Sequence, residues 1–422
     1  MYYVSTKGKA PKVRASEAIL QGLAVDGGLY VPEQFPYTSL QNLGTTSSFV
    51  ELAYELLYPW FDNDILQPYL DQLCAEAFTF PAPLHWHNQK DSVLELFHGP
   101  TAAFKDFGAR FLAAAMERLL DLQGKTLTIL VATSGDTGGA VASAFYRRKH
   151  ISVKILFPRN RVSQRQQQQL TCWDDNVQAY SVDGTFDDCQ RMVKAAFMDK
   201  TLADKHALSS ANSINLGRLL PQMIYAWKAA IEVLVQTGRE PTMIIPSGNV
   251  GNSCGTYWAK ASGAPIGNIK LAVNANRTIV DYLDKGTYEK RSSIDTLANA
   301  MDVGDPSNIE RLFHLFPDYD AFKHAVSAVS ISDEEIKATI KRVWEQYRYI
   351  LCPHTATGER LRELYPSEEP SVVYATAHPA KFDSIVEPII GSSIAIPPQL
   401  SDLIEKTTSV VEVPPDYRVI FS

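Results

Sequence analysis

TLTILVATSGDTGGAVASAFYRRKHISVKILF, residues Thr126 to Phe157, is the run whose reading decides the fold. Thr126–Thr133 is a short apolar segment with β-branched residues, closed by a glycine-containing loop, and it reads as a buried strand. Residues 138–150 follow with helical composition, and Ile151–Phe157 reads as a second strand. Apolar strands joined through helices pair in parallel and bury both sheet faces under those helices. The unit recurs as NVQAYSVDG with FDDCQRMVKAAFMD, as TMIIPSGN with its following helix, and as NIKLAVNA. The expected class is α/β, with parallel sheets covered by helices.

The first eighty residues have a different texture. GLAVDGGLYVPEQFP, Gly22 to Pro36, is dense in turn residues, and two helical patterns follow, Phe49–Leu57 and Ile65–Ala77, divided by Pro59 and Asp62. A separate N-terminal cap over residues 1–80 is expected, with PAPLHW from Pro81 as the linker. At 422 residues the chain has room for two or three domains. Hydrophobic and charged contents of 45% and 21% are those of a folded soluble protein, which excludes a disordered one. The formal charge of -7 argues against a nucleic-acid or anionic-membrane surface, while leaving room for a local basic cluster that meets a small anion. Five cysteines without a CxxC pair fit a reduced, cytoplasmic chain. No apolar h-region or spanning segment is read, so neither secretion nor membrane insertion is expected.

Two strand-to-helix junctions are glycine-rich: TSGDTGG, Thr133 to Gly139, and SGNVGN, Ser247 to Asn252. Each opens onto a helix N-terminus, where unpaired N–H groups and the helix dipole favour an anion. Neither is a Walker A or GxGxxG sequence, so nucleoside triphosphates and dinucleotides are poorly supported. ANSINLGRLL, from Ala211, is a third candidate, with Asn212, Ser213 and Asn215 as neutral donors and Arg218 as a planar guanidinium. Singly, each is also what an ordinary capped turn would show. HGPTAAFKDFGARF, His98 to Phe111, sets Lys105 between a Gly-Pro turn and a helix expected to begin close to Asp106. Flanked by Phe104 and Phe107, a desolvated amine would titrate low enough to be nucleophilic, which suits a Schiff base.

Taken in order along the chain, these blocks resemble the threonine synthase family, among the fold type II pyridoxal phosphate (PLP) enzymes with a tryptophan synthase β-like fold. STKGK and EAILQGLAVDGGLYVPE resemble the family's N-terminal segment, LELFHGPTAAFKDFGARF its PLP-lysine motif and VATSGDTGGAVASAF its substrate loop. SANSINLGRLLPQ, PSGNVGN, NAMDVGDPSN, PHTATG and ATAHPAKF match further blocks in the family's order. The resemblance implies a catalytic region over 81–422, with a smaller subdomain at about 106–210 inserted in the larger PLP domain. It also implies the Schiff base at Lys105, the cofactor phosphate held by Gly248, Asn249, Val250, Gly251 and Asn252, Thr376 at the pyridine nitrogen and Asp136 beside the cofactor. Thr133, Ser134 and Thr137 would hold the substrate carboxylate, and Asn212, Ser213 and Arg218 its phosphate.

The implied reaction is loss of the γ phosphate from O-phospho-L-homoserine and addition of water at the β carbon, giving L-threonine. Substrate and cofactor together carry three anionic groups, and three nests are present. A phospholyase releasing 2-oxobutyrate, a serine or threonine dehydratase and a catalytically dead binding protein are the competing readings. No metal is expected; His85 and His87 lack a further ligand set and read as surface histidines. His354 and His378 read as structural. A monomer or homodimer is expected. The chain departs from many relatives at Val250 and Asn252, where an aromatic and an acid are usual, and at Cys352, where an acid tends to precede the PHTA block.

Overall fold

The strand read at Thr126–Thr133 forms over Leu127–Ala132 with every residue buried, paired in parallel with Ile151–Pro158 on one side and Leu208–Ser209 on the other. The computed structural model describes residues 1–41, 43, 48–133 and 135–421, without the side chains of 203 and 204. Five parallel strands make this smaller sheet, in the order Val411–Val413, Val177–Val182, Ile151–Pro158, Leu127–Ala132, Leu208–Ser209. A larger sheet runs Ser327–Ser330, Ile269–Val273, Thr242–Pro246, Ser371–Ala375, Asp91–Glu95, Leu84–Trp86 and is parallel except at the last pair. Parallel strands covered on both faces are the α/β architecture expected from the sequence.

Two helix boundaries differ from expectation, each for a local reason. The helix expected over 138–150 spans Asp136–Phe145. Beyond it Arg147 and His150 take positive φ values of 58° and 64°, and the Asn176 side chain donates to the freed Phe145 carbonyl at 2.9 Å. Ile65–Ala77 is helical only from Leu70, after a 3-10 turn at Gln67–Tyr69. Pro68 sits inside that turn, where its missing N–H and fixed φ suit a helix start and not a helix interior.

Residues 1–78 bring a two-stranded antiparallel ribbon, Tyr3–Ser5 with Tyr30–Pro32, and the helix Phe49–Leu57. Ser48 and Glu51 cap that helix reciprocally, and its Leu52, Ala53, Leu56 and Leu57 are buried. Trp60 stacks on Trp258 of the helix Gly251–Ala261 with centroids 5.8 Å apart, so this segment shares the main core.

At the centre, the helix Lys105–Gln123 packs against the helix Leu216–Thr237. Gly108 allows the approach: a Cβ there would stand 2.6 Å from the Arg218 carbonyl oxygen and 3.0 Å from Arg218 Nε. A methyl in this seam would force two long helices apart. Gly108→Ala is expected to destabilise the protein by about 1–3 kcal/mol, the usual cost of overpacking, seen as a lower urea midpoint at unchanged slope.

Candidate active site

Three of the larger sheet's parallel strands end at the same crevice. Thr242–Pro246 runs into the loop Ser247–Val250 and the helix Gly251–Ala261, Ser371–Ala375 ends at Thr376, and Asp91–Glu95 leads to Lys105. The smaller sheet contributes the start of the helix Asp136–Phe145. Crevices at the carboxyl ends of parallel strands are where open α/β sheets bind ligands. Lys105 and Thr376 are held side by side by the backbone: Ala103 bridges Ala377, Phe104 N–H donates to the Thr376 carbonyl at 2.9 Å, and His378 N–H to that of Ala102 at 3.0 Å.

Lys105 lies at the first position of its helix, one residue earlier than expected, with its side chain 15% exposed and its Nζ 4.0 Å from Asp136 Oδ2. Burial pushes the amine down to about 8; Asp136 opposes the shift, while Lys381 and Arg218 add to it. Burial also works against an ionised Asp136, yet Lys381, then Lys105 and His354, hold its carboxyl well below the usual range. His354 is buried, accepts from the Ala300 N–H at Nε2 (3.1 Å) and is pushed down to about 4 by burial, so it is neutral here.

Opposite Lys105 the cavity wall carries polar atoms without partners. Arg218 is 2% exposed; burial brings it down to about 10, which leaves it charged. One Nη donates to the Ala211 carbonyl at 2.6 Å, and its Nε has no partner. The Asn252 amide accepts from Tyr225 Oη at 2.6 Å, and its Nδ2 has no partner. Ser213 Oγ accepts from Asn249 Nδ2 (2.7 Å) and Asn308 Nδ2 (3.1 Å), which leaves its proton for a third group. Buried donors left open on the walls of one cavity are provision for anions.

Of the residues singled out in the sequence, Lys105, Asp136, Thr137, Ser213, Arg218, Thr376 and all of Gly248–Asn252 line this cavity. Two do not. Thr133 spends its hydroxyl on its own loop, accepting from Gly135 N–H (3.0 Å) and Gly138 N–H (2.9 Å) and donating to the Gly135 carbonyl. Asn212 lies outside the cavity lining, and Ser134 lies outside the described residues. His354, Gln222 and Met301 line the cavity without having been singled out as site residues.

Cys352 also gains a physical account: its sulfur accepts from the Thr355 N–H at 3.4 Å and caps the helix Pro353–Leu364, a duty an acid performs equally well. His87 is not a surface histidine, since its side chain is 1% exposed and packs between Tyr347 and Glu359. Among the described residues no group of His, Cys, Asp and Glu could hold a metal ion.

The fold and this cavity define a pyridoxal-phosphate dependent enzyme, and the model of that family matches residues 93–360. Residues 2–78 match the threonine synthase N terminus and 355–420 the threonine synthase C-terminal region. Threonine synthase from Haemophilus influenzae is 38% identical over 95% of this chain and 94% of its own. The crystal structure of PLP-bound threonine synthase from Brucella melitensis superposes with a TM-score of 0.93 at 36% identity, covering 100% of this chain and 98% of that one. That of threonine synthase from Escherichia coli gives 0.92 at 35%, covering 100% and 98%. The chain belongs to the threonine synthase family.

The residues present fit pyridoxal phosphate. A Cβ at Gly248 would stand 2.6 Å from Met301 Cα, so only glycine leaves the loop room beside that backbone. The loop opens onto the start of an eleven-residue helix and offers the open Asn252 donor, a setting for phosphate. Lys105 supplies an amine that becomes free as the pH passes about 8. The rate at which apoprotein recombines with pyridoxal phosphate at Lys105 is expected to rise with pH and level off above about 8; a midpoint near the ordinary 10.5 would show the amine is not desolvated as described.

Proposed function

We propose that this chain removes phosphate from O-phospho-L-homoserine and adds water across the resulting unsaturation, releasing L-threonine and inorganic phosphate in the last step of threonine biosynthesis. The observation that carries the reading is the pair Arg218 and Ser213, a buried guanidinium and a hydroxyl with a proton left to give, which both line the cavity of Lys105 alongside the Gly248–Asn252 loop. A phosphate ester has a place there. A hydroxy amino acid would leave both donors unmet.

Pyridoxal phosphate, when bound at Lys105, supplies an electron sink for the substrate's α carbon. Gly248–Asn252 and the helix N-terminus behind them would hold its phosphate, and the Thr376 hydroxyl would serve its ring nitrogen as a neutral partner. Lys105, uncharged above about 8, is the base for the α proton and carries protons between neighbouring carbons. Arg218 and Ser213 hold the substrate phosphate and follow it as charge builds on the leaving oxygen. Thr137 and the first turn of the helix Asp136–Phe145 receive the substrate carboxylate, with Thr133 shaping that loop from behind. The Cγ–O bond breaks to release phosphate, and the water oxygen ends on the β carbon. We place the enzyme in the cytoplasm as a monomer or homodimer acting on a free small molecule. Its five cysteines are free and buried, as suits a reducing compartment, and no described helix is long and apolar enough to cross a membrane.

Incubating the holoenzyme with O-phospho-L-homoserine is expected to give threonine and phosphate in equal amounts. Formation of 2-oxobutyrate without threonine would overturn the reading in favour of a phospholyase. Arg218→Ala is expected to lower kcat/KM for the phosphorylated substrate by roughly 10- to 100-fold, the size of a charge-assisted hydrogen bond; an unchanged value would favour a dehydratase.

A further inference from the structure

Lys381, the lysine of the ATAHPAKF block, is a second lysine at the site. Its Nζ lies 2.8 Å from Asp136 Oδ1 and donates to the Thr101 carbonyl at 2.9 Å, with the side chain 1% exposed. The carboxylate is therefore closer to Lys381 than to Lys105, at 2.8 Å against 4.0 Å. Both ends of the contact are anchored. Gln166 Nε2 donates to the same Asp136 oxygen at 3.1 Å, and Gln169 Nε2 to the same Thr101 carbonyl at 3.2 Å. Thr101 is itself fixed by Asp106, through its N–H at 2.8 Å and its hydroxyl at 2.6 Å.

We propose that Lys381 is a positioning residue that takes Asp136 as its permanent ionic partner, holding the carboxylate beside Lys105 while leaving the Lys105 amine free to react. The inference rests on the reading of Lys105 as the lysine that binds pyridoxal phosphate. A buried carboxylate whose sole cation was Lys105 would clamp that amine in its charged form. It would also be left uncompensated each time Lys105 became neutral or covalently engaged, and a buried charge without a partner is strongly unfavourable. Lys381 removes both difficulties, because it carries no covalent duty and its geometry is set by Thr101.

The remaining titratable or charged groups facing this trio are Arg218, His354, Cys352, Asp106 and His378. His354 and His378 are both pushed down to about 4 by burial and the Cys352 thiol is pushed up, so none of the three changes charge near neutrality. Lys105 and Asp136 are the pair whose balance Lys381 sets.

The experiment titrates recombination of apoprotein with pyridoxal phosphate against pH, trapping the Lys105 adduct with borohydride, in wild type, K381M, D136N and the double variant, with circular dichroism to confirm folding. K381M is expected to raise the midpoint by about one pH unit or more, the effect of giving an amine an undivided carboxylate neighbour. D136N is expected to lower it below wild type, since the Lys381 charge then stands unopposed. K381M made on D136N is expected to shift the midpoint less than K381M alone, as no carboxylate remains to be released. An unchanged midpoint in folded K381M, or equal shifts in the two backgrounds, would overturn the proposal. Should K381M not fold, D136N decides by itself, and a midpoint at or above wild type would overturn it. The titration uses no substrate, so a chain that released 2-oxobutyrate would sink the proposed reaction and leave this inference standing; a wild type without a trapped adduct would sink both.

Discussion

A carboxylate shared between two buried ammonium groups is the constraint around which this molecule is arranged. Asp136 begins a helix that follows a strand of the smaller sheet, Lys105 begins a helix reached from the larger sheet, and Lys381 comes from the 3-10 turn after the larger sheet's strand Ser371–Ala375. Each charge alone would be costly at this depth, since burying an ion without a partner exceeds what hydrogen bonding to the backbone returns. Bringing the two sheets together is what makes all three tolerable. The seam between the sheets is then also the place where an amine loses its proton at about 8, well below the ordinary 10.5, and where anions meet net positive charge.

The N-terminal segment extends the same logic to the loop that carries Ser213. Arg311, fully buried, donates through Nε to the Tyr30 carbonyl at 3.1 Å and through its two Nη atoms to the carbonyls of Ser213 (3.3 Å) and Ile214 (2.7 Å). It also pairs with the Asn308 amide oxygen, and Asn308 Nδ2 in turn donates to Ser213 Oγ. Hydrogen bonds from a charged donor contribute about 1.5–3 kcal/mol each. One guanidinium thus ties the N-terminal ribbon, the Ser213 loop and, through Asn308, which donates to the Asn249 carbonyl at 3.1 Å, the Ser247–Val250 loop into one unit. Two of the residues that aim Ser213, Arg311 and Asn308, do not line the cavity.

Much of this was legible in the chain because it is local. The alternation from Leu127 to Pro158 follows from apolar runs and helix periodicity, and the open loops at Ser247–Asn252 and Asp136 follow from glycine beside small polar residues. What was not legible depends on pairing across sequence distance. DSVLE and SVVYA were not read as strands, although they pair in parallel at the heart of the larger sheet, because DSVLE has only two apolar residues and a short run such as SVVYA resembles many other segments. Lys381 was hidden for a deeper reason. A lysine between alanine and phenylalanine reads as a solvated side chain, and its partners on the Thr101 and Asp136 turns are known only once the two sheets are docked. Thr133 misled in the opposite sense, since a hydroxyl in a loop before a helix can cap that loop as readily as it can bind a ligand.

The positions where the chain departs from its relatives can be argued from the same geometry. Val250 holds φ 62° and ψ 3°, a left-handed conformation that costs a β-branched residue about 1–2 kcal/mol. The strain is retained because the side chain is 2% exposed in the main core and the Val250 carbonyl accepts the Cys254 N–H at 2.8 Å, so relaxing the backbone would lose both. Asn252 then completes the nest: its oxygen is already committed to Tyr225, which fixes the amide so that Nδ2 faces inward as a donor. An acid there could accept from Tyr225 but could not donate, and would set a negative charge at the start of the helix, where the proposed reading seats a phosphate. With asparagine the nest gains a neutral donor, and the helix dipole and backbone supply the attraction without a repulsive term to offset.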